Sequence, residues 1–207
     1  MSPAALLDFA SVFVFALTGA LMASRAQLDP VGFVFVACLT AVGGGTVRDV
    51  LLDRNPIFWM AQPAYLAVAA GAAGLVFFTA HLLESRLRTL LWLDSLALAI
   101  AVAAGCAVAL NLGQPPVIVV LMGIVTGCLG GLMRDVVIGD VPVVLKQGEL
   151  YVSAALGGAL SLWAALALGV PAPWHLAVGA GVTWALRAGS LAFGWRLPTY
   201  RHGPPKT

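Results

Sequence analysis

The chain has 207 residues, of which 61% are hydrophobic and only 10% are charged, and its mean hydropathy is +0.98. Soluble domains carry about 25% charged residues, so this composition excludes a soluble globular domain and indicates an integral membrane protein in contact with lipid. The net charge of +2 and the lack of a basic run in the sequence argue against a nucleic-acid partner.

Seven apolar stretches, each close to the length of about 20 residues that a helix needs to cross a bilayer, predict seven transmembrane helices. Their approximate bounds are Ala4–Ala23, Val31–Leu52, Ala64–Leu83, Leu90–Leu110, Val117–Ile138, Leu150–Gly169 and Leu176–Phe193. The linkers between them contain helix-breaking residues such as Pro30, Pro56, Pro116, Pro142 and Pro171. The predicted fold class is therefore an all-α membrane protein.

A polar motif interrupts the second stretch and returns in the fifth. The first copy reads Gly43-Gly44-Gly45-Thr46-Val47-Arg48-Asp49, and the second reads Gly130-Gly131-Leu132-Met133-Arg134-Asp135. Arg134 follows Arg48 by 86 residues, and the same offset superposes other residues of the two halves. The superposed pairs include Asp8 with Asp94, Thr40 with Thr126 and Tyr65 with Tyr151. The chain is therefore an internal duplication.

Each copy holds three predicted helices, and this odd number makes the second copy enter the membrane from the opposite side. The predicted domains are a first repeat over residues 1–88, a second, inverted repeat over 89–170, and a seventh helix with a cytoplasmic tail over 171–207.

Basic residues predict the orientation of the chain. On the side of the predicted C-terminus lie Arg25, Arg86, Arg88, Arg134, Lys146, Arg187, Arg196, Arg201 and Lys206. On the other side lie Arg48 and Arg54. Since basic residues are enriched on the cytoplasmic side of membrane proteins, we expect a cytoplasmic C-terminus and an N-terminus outside.

The glycine motifs lie near the middle of their helices, where each glycine costs roughly 1 kcal/mol. Backbone freed from a helix at this depth is tolerated only inside the protein or along a water-filled cavity. We therefore predict that the second and fifth helices are broken at Gly43, Gly44, Gly45, Gly130 and Gly131 and that the breaks face each other along a transport path. The alternative is that these glycines only let the two helices cross closely.

The Arg-Asp pairs after the glycines, Arg48-Asp49 and Arg134-Asp135, favour a function in that path or in its gate. Each charge near the centre of a membrane helix costs roughly 2.5–3.5 kcal/mol on insertion scales. The matched hydroxyls of Thr40 and Thr126 precede the glycines. Beside freed carbonyls they are candidates to replace part of the hydration shell of a cation, although a lone helix threonine normally bonds to its own backbone.

Adjacent helix residues point about 100° apart, so neither arginine is expected to use the aspartate that follows it. Depth along the helices instead predicts the pairs Arg48–Asp8 and Arg134–Asp94. The alternative pairing joins each arginine to the aspartate of the other motif.

Enzymatic function finds no support in the sequence, which contains no nucleophile elbow, no HExxH and no GxxxxGK motif. Cys38, Cys106 and Cys128 lie far apart in apolar segments and lack the spacing of metal ligands. We expect no catalytic residue, no cofactor and no tightly bound metal.

Two three-helix units, each with Gly-Gly-x-x-Arg-Asp in the middle helix and a proline a few residues later, together with a seventh helix, resemble the bacterial members of the trimeric intracellular cation (TRIC) channel family. The resemblance covers approximately residues 4–195. It implies a homotrimer in the bacterial inner membrane, in which each subunit forms a pore for K⁺ and Na⁺ between the second and fifth helices. The glycines of the two motifs are the matching hinge positions.

Two observations qualify this resemblance. Animal members have a basic residue in the fourth helix that is linked to voltage gating, whereas Leu90–Leu110 contains Asp94 and no Lys or Arg. Bacterial relatives have also been described as putative glycine transporters. A passive cation channel is the favoured function, and an alternating-access carrier of a small neutral or zwitterionic solute such as glycine is the alternative.

Overall fold

The computed structural model describes residues 3–82, 85–146 and 148–198. Its seven main helices are α1 (Pro3–Arg25), α2 (Pro30–Leu51), α3 (Ala64–Thr79), α4 (Arg86–Asn111), α5 (Pro116–Ile138), α6 (Val152–Ala167) and α7 (Trp174–Phe193). Three shorter helices lie in the connections, at Phe58–Ala61, Ala80–Leu82 and Val143–Leu145. Arg201 and Lys206, which contribute to the orientation prediction, lie outside the described residues.

The all-α prediction is confirmed, since extended pairing among the described residues is limited to an isolated bridge between Glu149 and Arg196. Within the same part of the chain, six helices are long and apolar enough to cross a membrane, counting α3 together with the short helix that follows it. The predicted sixth span is shorter than expected, because α6 has 16 residues and begins after Tyr151. Leu150 and Tyr151 belong instead to the linker before it.

The two halves of the chain pack in the same way, as the duplication requires. In the first half α1 packs against α2 and α3, and in the second half α4 packs against α5 and α6. The halves meet where α1 contacts α4 and where α2 contacts α5. Helix α7 lies outside this symmetric core, against α4 and α6.

Small residues explain how α1 and α4 reach the centre of the bundle. Along α4, Ala97, Ala103, Ala104 and Ala109 are completely buried. Their short side chains let neighbouring backbones approach closely, which is how helices associate when lipid removes the hydrophobic driving force. The two central helices therefore form a scaffold that holds α2 and α5 against each other.

The predicted interruption of α2 at Gly43–Gly45 and of α5 at Gly130–Gly131 is wrong. Both helices are continuous α-helix through their glycines. A helix keeps its backbone hydrogen bonds satisfied without help from neighbours, and glycine in its interior costs only about 1 kcal/mol. The local penalty is therefore too small to break either helix by itself.

Close crossing of α2 and α5 explains the glycines instead. A Cβ on Gly44 would collide with the carbonyl oxygen of Thr126, and a Cβ on Gly130 would collide with the carbonyl oxygen of Thr40. The two contacts are related by the 86-residue offset. The alternative interpretation of the glycine motifs, a tight crossing, therefore describes the structure.

Candidate functional site

The first charged cluster surrounds Arg48, whose side chain is completely buried. Its Nη1 donates to Oδ1 of Asp8 over 2.8 Å, and its Nε donates to Oδ1 of Asp49 over the same distance. Helix α2 thus supplies the arginine and one carboxylate, and α1 supplies the other. The predicted pair Arg48–Asp8 is confirmed.

Asp49 also anchors the chain that follows α2. Its Oδ2 accepts a hydrogen bond of 2.9 Å from the backbone N–H of Phe58, the first residue of a short helix. The ring of Phe58 lies 5.4 Å from the guanidinium carbon of Arg48, within the range of a cation–π contact. Arg54, partly exposed, approaches the same carboxylate to 3.5 Å. This cluster therefore fixes an aromatic ring at its outer edge.

The second cluster repeats this arrangement around Arg134, which is also completely buried. Its Nη1 donates to Oδ1 of Asp94 over 2.8 Å and to the hydroxyl of Thr18 over 3.0 Å. Its Nε donates to Oδ1 of Asp135 over 2.8 Å. Asp135 in turn accepts a hydrogen bond of 2.9 Å from the backbone N–H of Val143. The predicted pair Arg134–Asp94 is confirmed as well.

The expectation that each arginine ignores the aspartate next to it is wrong. Each Nε pairs with that neighbouring carboxylate, while the Nη groups reach across to α1 or α4. The expectation considered only the directions of the Cβ atoms, and a long arginine side chain can bend back along its own helix. Because every carboxylate partner lies in the same repeat as its arginine, the cross-repeat pairing does not occur.

The charges of the two clusters differ in one respect. Each buried arginine contacts two carboxylates, which leaves one excess negative charge per cluster. In the first cluster Arg54 lies close enough to offset it. The 86-residue offset superposes Arg54 on Asp140, which is acidic. The duplication therefore gives the second cluster no cation equivalent to Arg54.

Thr40 and Thr126 lie at the crossing of α2 and α5, as their position before the glycines predicts. Their hydroxyls donate to backbone carbonyls one turn earlier, at Val36 over 2.6 Å and at Met122 over 2.7 Å. Both threonines are buried. The structure therefore contains the ordinary back-bonded form of these residues, with each hydroxyl hydrogen engaged inside its own helix.

Two cavities lead toward this crossing from the side where α1 begins. The larger has a volume of about 400 Å³, and its polar lining comes from Asp8, Arg54, Gln62, Tyr65 and Asn111. The smaller, of about 10 Å³, shares Asp8 and Phe58 with the larger one and continues to the threonines and to Gly44. The polar surface thus extends from the end of the bundle to the helix crossing.

Three residues of the site escaped the sequence analysis, namely Phe58, Thr18 and the inward-facing Tyr151. Phe58 and Thr18 have no like residue at the matching position, so the duplication gave no signal for them. For Tyr151 the duplication did give a signal, since this residue superposes on Tyr65. Both tyrosines are almost fully buried. A matched pair of tyrosines next to linkers was the available clue.

Comparison with known proteins gives the same picture of a duplicated membrane protein. The sequence model of a family described as glycine transporter matches residues 5–81 and again 91–167, two segments that start 86 residues apart. The crystal structure of the TRIC trimeric intracellular cation channel orthologue from Rhodobacter sphaeroides is similar to this chain with a TM-score of 0.90. It is 42% identical in sequence and covers 94% of this chain and 100% of its own. The chain belongs to the TRIC family.

Other proteins similar to this TRIC family member are membrane proteins too. The inner membrane protein YadS of Escherichia coli (strain K12) is 36% identical over 199 residues, which cover 94% of each chain. A membrane protein of Vibrio cholerae is 36% identical over 200 residues, which cover 94% of this chain and 82% of that protein. A second TRIC cation channel structure matches with a TM-score of 0.83 and 26% identity, over 96% of this chain and 98% of its own. These relatives are channels and membrane proteins, and this chain is not an enzyme.

Proposed function

We propose that the protein is a channel for monovalent cations, mainly K⁺, with one conduction path in each subunit between α2 and α5. The similar structures are described as TRIC cation channels, which supports the channel class. The observation that carries the position of the path is the pair of cavities that share Asp8 and Phe58 in their linings. They run from Asp8 and Arg54 at the end of the bundle to Thr40 and Thr126 at the crossing.

The charged clusters suit cations rather than anions. Each arginine along the proposed path is neutralised by two carboxylates, so its positive charge does not repel a passing cation. In a low-dielectric interior the excess carboxylate charge that remains in the second cluster attracts monovalent cations. Arg48, Asp49, Asp8, Arg134, Asp135 and Asp94 thus act as charged residues of the path in this proposal.

The conformation described here is closed under this proposal. The smaller cavity, at about 10 Å³, has room for approximately one water molecule, so a hydrated cation cannot pass the crossing. Opening requires α2 and α5 to separate or rotate where Gly44 and Gly130 now touch the opposite backbone. These glycines then act as sliding contacts, and not as helix breaks.

A glycine carrier is the second candidate function because the matching family model bears that description. A carrier needs an enclosed site that holds both ends of the solute at the middle of the membrane. The small cavity near the crossing is smaller than a glycine molecule, and the charged groups around it are already paired with one another. These observations favour the channel.

We further propose that the protein is a homotrimer in a bacterial inner membrane, with its N-terminus outside. The description of YadS as an inner membrane protein and the names of the similar channels support this assignment. The distribution of basic residues supports the orientation.

Recordings from purified protein in planar bilayers under a KCl gradient test the proposal. We expect unitary current steps that reverse close to the K⁺ equilibrium potential, and no such steps in protein-free bilayers. The same preparation in liposomes is assayed for saturable glycine counterflow. Counterflow without unitary currents would replace the channel by the carrier.

A further inference from the structure

The wide cavity at the end of the bundle where α1 begins carries a positive charge on its wall. Among the described residues that line this cavity of about 400 Å³, Arg54 is the single cationic side chain and Asp8 the single acidic one. The side chain of Arg54 is 39% exposed, whereas that of Arg48 behind it is completely buried. An ion that enters the cavity therefore meets the charge of Arg54 directly.

The chain after α2 places Arg54 on this wall. Helix α2 ends at Leu51, and Asp53 has a left-handed backbone conformation with φ of 50°. The chain thereby turns back, and the backbone N–H of Arg54 donates to the carbonyl of Asp49 over 2.8 Å. The side-chain amide of Asn55 donates to Oδ1 of Asp53 over 3.0 Å and braces the turn. The turn thus holds Arg54 beside the last turn of α2.

The guanidinium of Arg54 is only loosely attached to the first charged cluster. Its Nη1 lies 3.5 Å from each carboxylate oxygen of Asp49, whereas Nε of Arg48 holds the same carboxylate at 2.8 Å. Asp49 also accepts a hydrogen bond from the backbone N–H of Phe58. Ion pairs with a partly exposed partner contribute little to stability. The cluster therefore keeps its main bonds without Arg54.

The charge of Arg54 nevertheless decides the charge balance at this end of the path. The buried cluster around Arg48 has one excess negative charge, and Arg54 offsets it. The residue related to Arg54 by the duplication is Asp140, which pairs loosely with Arg25 at 3.9 Å. The two related positions thus carry charges of opposite sign, although the helices before them are related by symmetry.

We propose that Arg54 determines how readily cations enter the path from this end, and that it favours monovalent over divalent cations. This proposal rests on the channel function. A unit charge about 6 Å away in water lowers the local concentration of a monovalent cation roughly threefold. The repulsion doubles for a divalent cation, so its local concentration falls roughly ninefold. Arg54 therefore acts as a specificity-determining residue outside the narrow part of the path.

The first test measures unitary K⁺ conductance of Arg54→Gln at low and high salt. At about 0.01 M KCl the variant should conduct roughly three times more than the wild type, because the repulsion is removed. At about 1 M KCl the two should conduct equally, since the Debye length falls from about 30 Å to about 3 Å. A purely structural effect of the substitution would not disappear with salt in this way.

Two further variants are controls for this measurement. Arg54→Lys keeps the charge and should conduct like the wild type at both salt concentrations. Arg88→Gln makes the same charge change at an exposed residue near the start of α4 that lines neither cavity of the path. It should leave the unitary conductance unchanged.

Mg²⁺ added on the side of the wide cavity tests the preference for monovalent cations. In Arg54→Gln the ratio of Mg²⁺ to K⁺ inside the cavity should rise about threefold, because the divalent ion gains ninefold and K⁺ threefold. The Mg²⁺ concentration that halves the K⁺ current at about 0.01 M KCl should fall by at least that factor. An unchanged Mg²⁺ sensitivity would overturn the role of Arg54 in ion preference.

Arg54→Cys separates the charge of the side chain from its shape. Methanethiosulfonates transfer a charged alkylthio group to the new thiol and release methanesulfinate, and reagents of similar size exist with either sign of charge. A trimethylammonium group should restore the low-salt conductance of the wild type, and a sulfonate group should raise it above that of Arg54→Gln. Wild type treated in the same way is the control and should not respond, since Cys106 and Cys128 are buried and Cys38 is partly buried.

The outcomes for the proposal and for the channel function are distinct. Equal low-salt conductance in wild type and Arg54→Gln, with normal unitary currents, would overturn the role of Arg54 and leave the channel function standing. The same result would follow from equal effects of the two thiol reagents, or from a large loss of stability in Arg54→Gln. Absence of unitary currents in the wild type would instead overturn the channel function.

Discussion

At the scale of single residues, the two buried arginines are stabilised by carboxylates that the duplication brings to the same depth. Arg48 and Arg134 each pair with one aspartate on the neighbouring helix and with the aspartate that follows in sequence. A buried charge without partners is far more costly than a paired one. The pairs therefore explain how four charged residues in two apolar helices remain compatible with a membrane.

Asp8→Asn tests this balance. The change removes one of the two carboxylates of Arg48 and should lower the free energy of unfolding by about 3 kcal/mol, near the lower end for a broken buried pair because Asp49 remains. The measurement is denaturant-induced unfolding of the purified protein in detergent.

The double variant Asp8→Asn with Arg48→Gln is the control for this pair, and it should recover part of the lost stability because no unpaired guanidinium remains. A double variant no more stable than the worse single variant would contradict the pairing. In that case Arg48 would have its main role in the gate.

At the scale of the secondary structure elements, the crossing of α2 and α5 decides the shape of the proposed path. Gly44 and Gly130 touch the backbone of the opposite helix at Thr126 and Thr40. Since helix backbones can approach this closely only where a Cβ is missing, the two glycines set the distance between the helices. The same contacts leave the narrow cavity at the crossing.

Gly44→Ala and Gly130→Ala should each force α2 and α5 apart. Overpacking of this kind costs roughly 1–3 kcal/mol, which outweighs the gain in helix propensity. We expect a lower thermal unfolding temperature for both variants. Size-exclusion chromatography of samples heated to a series of temperatures measures it.

Gly71→Ala is the matched control for the crossing, because a Cβ at this position of α3 meets nothing within 4 Å. It should be neutral or stabilising by about 0.5–1 kcal/mol. Equal behaviour of all three variants would mean that the crossing tolerates a wider spacing than the contacts at Gly44 and Gly130 indicate.

At the scale of the whole molecule, a symmetric core of six helices is joined to one helix that breaks the symmetry. Many large apolar side chains remain on the outside of α2 and α5, including Val31, Phe35, Val117 and Val137. Lipid or other subunits can cover such surfaces in a membrane protein. The proposed trimer assigns part of this outer surface to neighbouring subunits.

Native mass spectrometry in mild detergent tests the assembly. We expect a main species at about three times the chain mass of 21.3 kDa, because close helix packing between subunits survives mild extraction. The same sample in a denaturing detergent should give the single chain. A spectrum with only monomers or dimers under mild conditions would contradict the trimer.

Several properties of the protein follow from its sequence alone. The membrane class follows from composition, and the duplication follows from a constant offset that relates Arg48 to Arg134 and Asp8 to Asp94. The pairing of these charges could be predicted because depth in a membrane helix grows by about 1.5 Å per residue. Composition, repeat spacing and depth along a helix depend only on the order of residues in the chain, so they can be predicted without knowing how the helices pack.

Only the tertiary structure decided what the glycines and the outer helix do. A helix break and a close helix crossing both favour glycine at positions 44 and 130. They differ in whether the backbone of another helix lies where the Cβ atom would be. Arg187, counted among the basic residues on the side of the predicted C-terminus, is buried against Tyr151 and Glu149. Contacts between distant segments depend on the packing of whole helices, and α7 lies outside the duplication, so no matching residue revealed its partner.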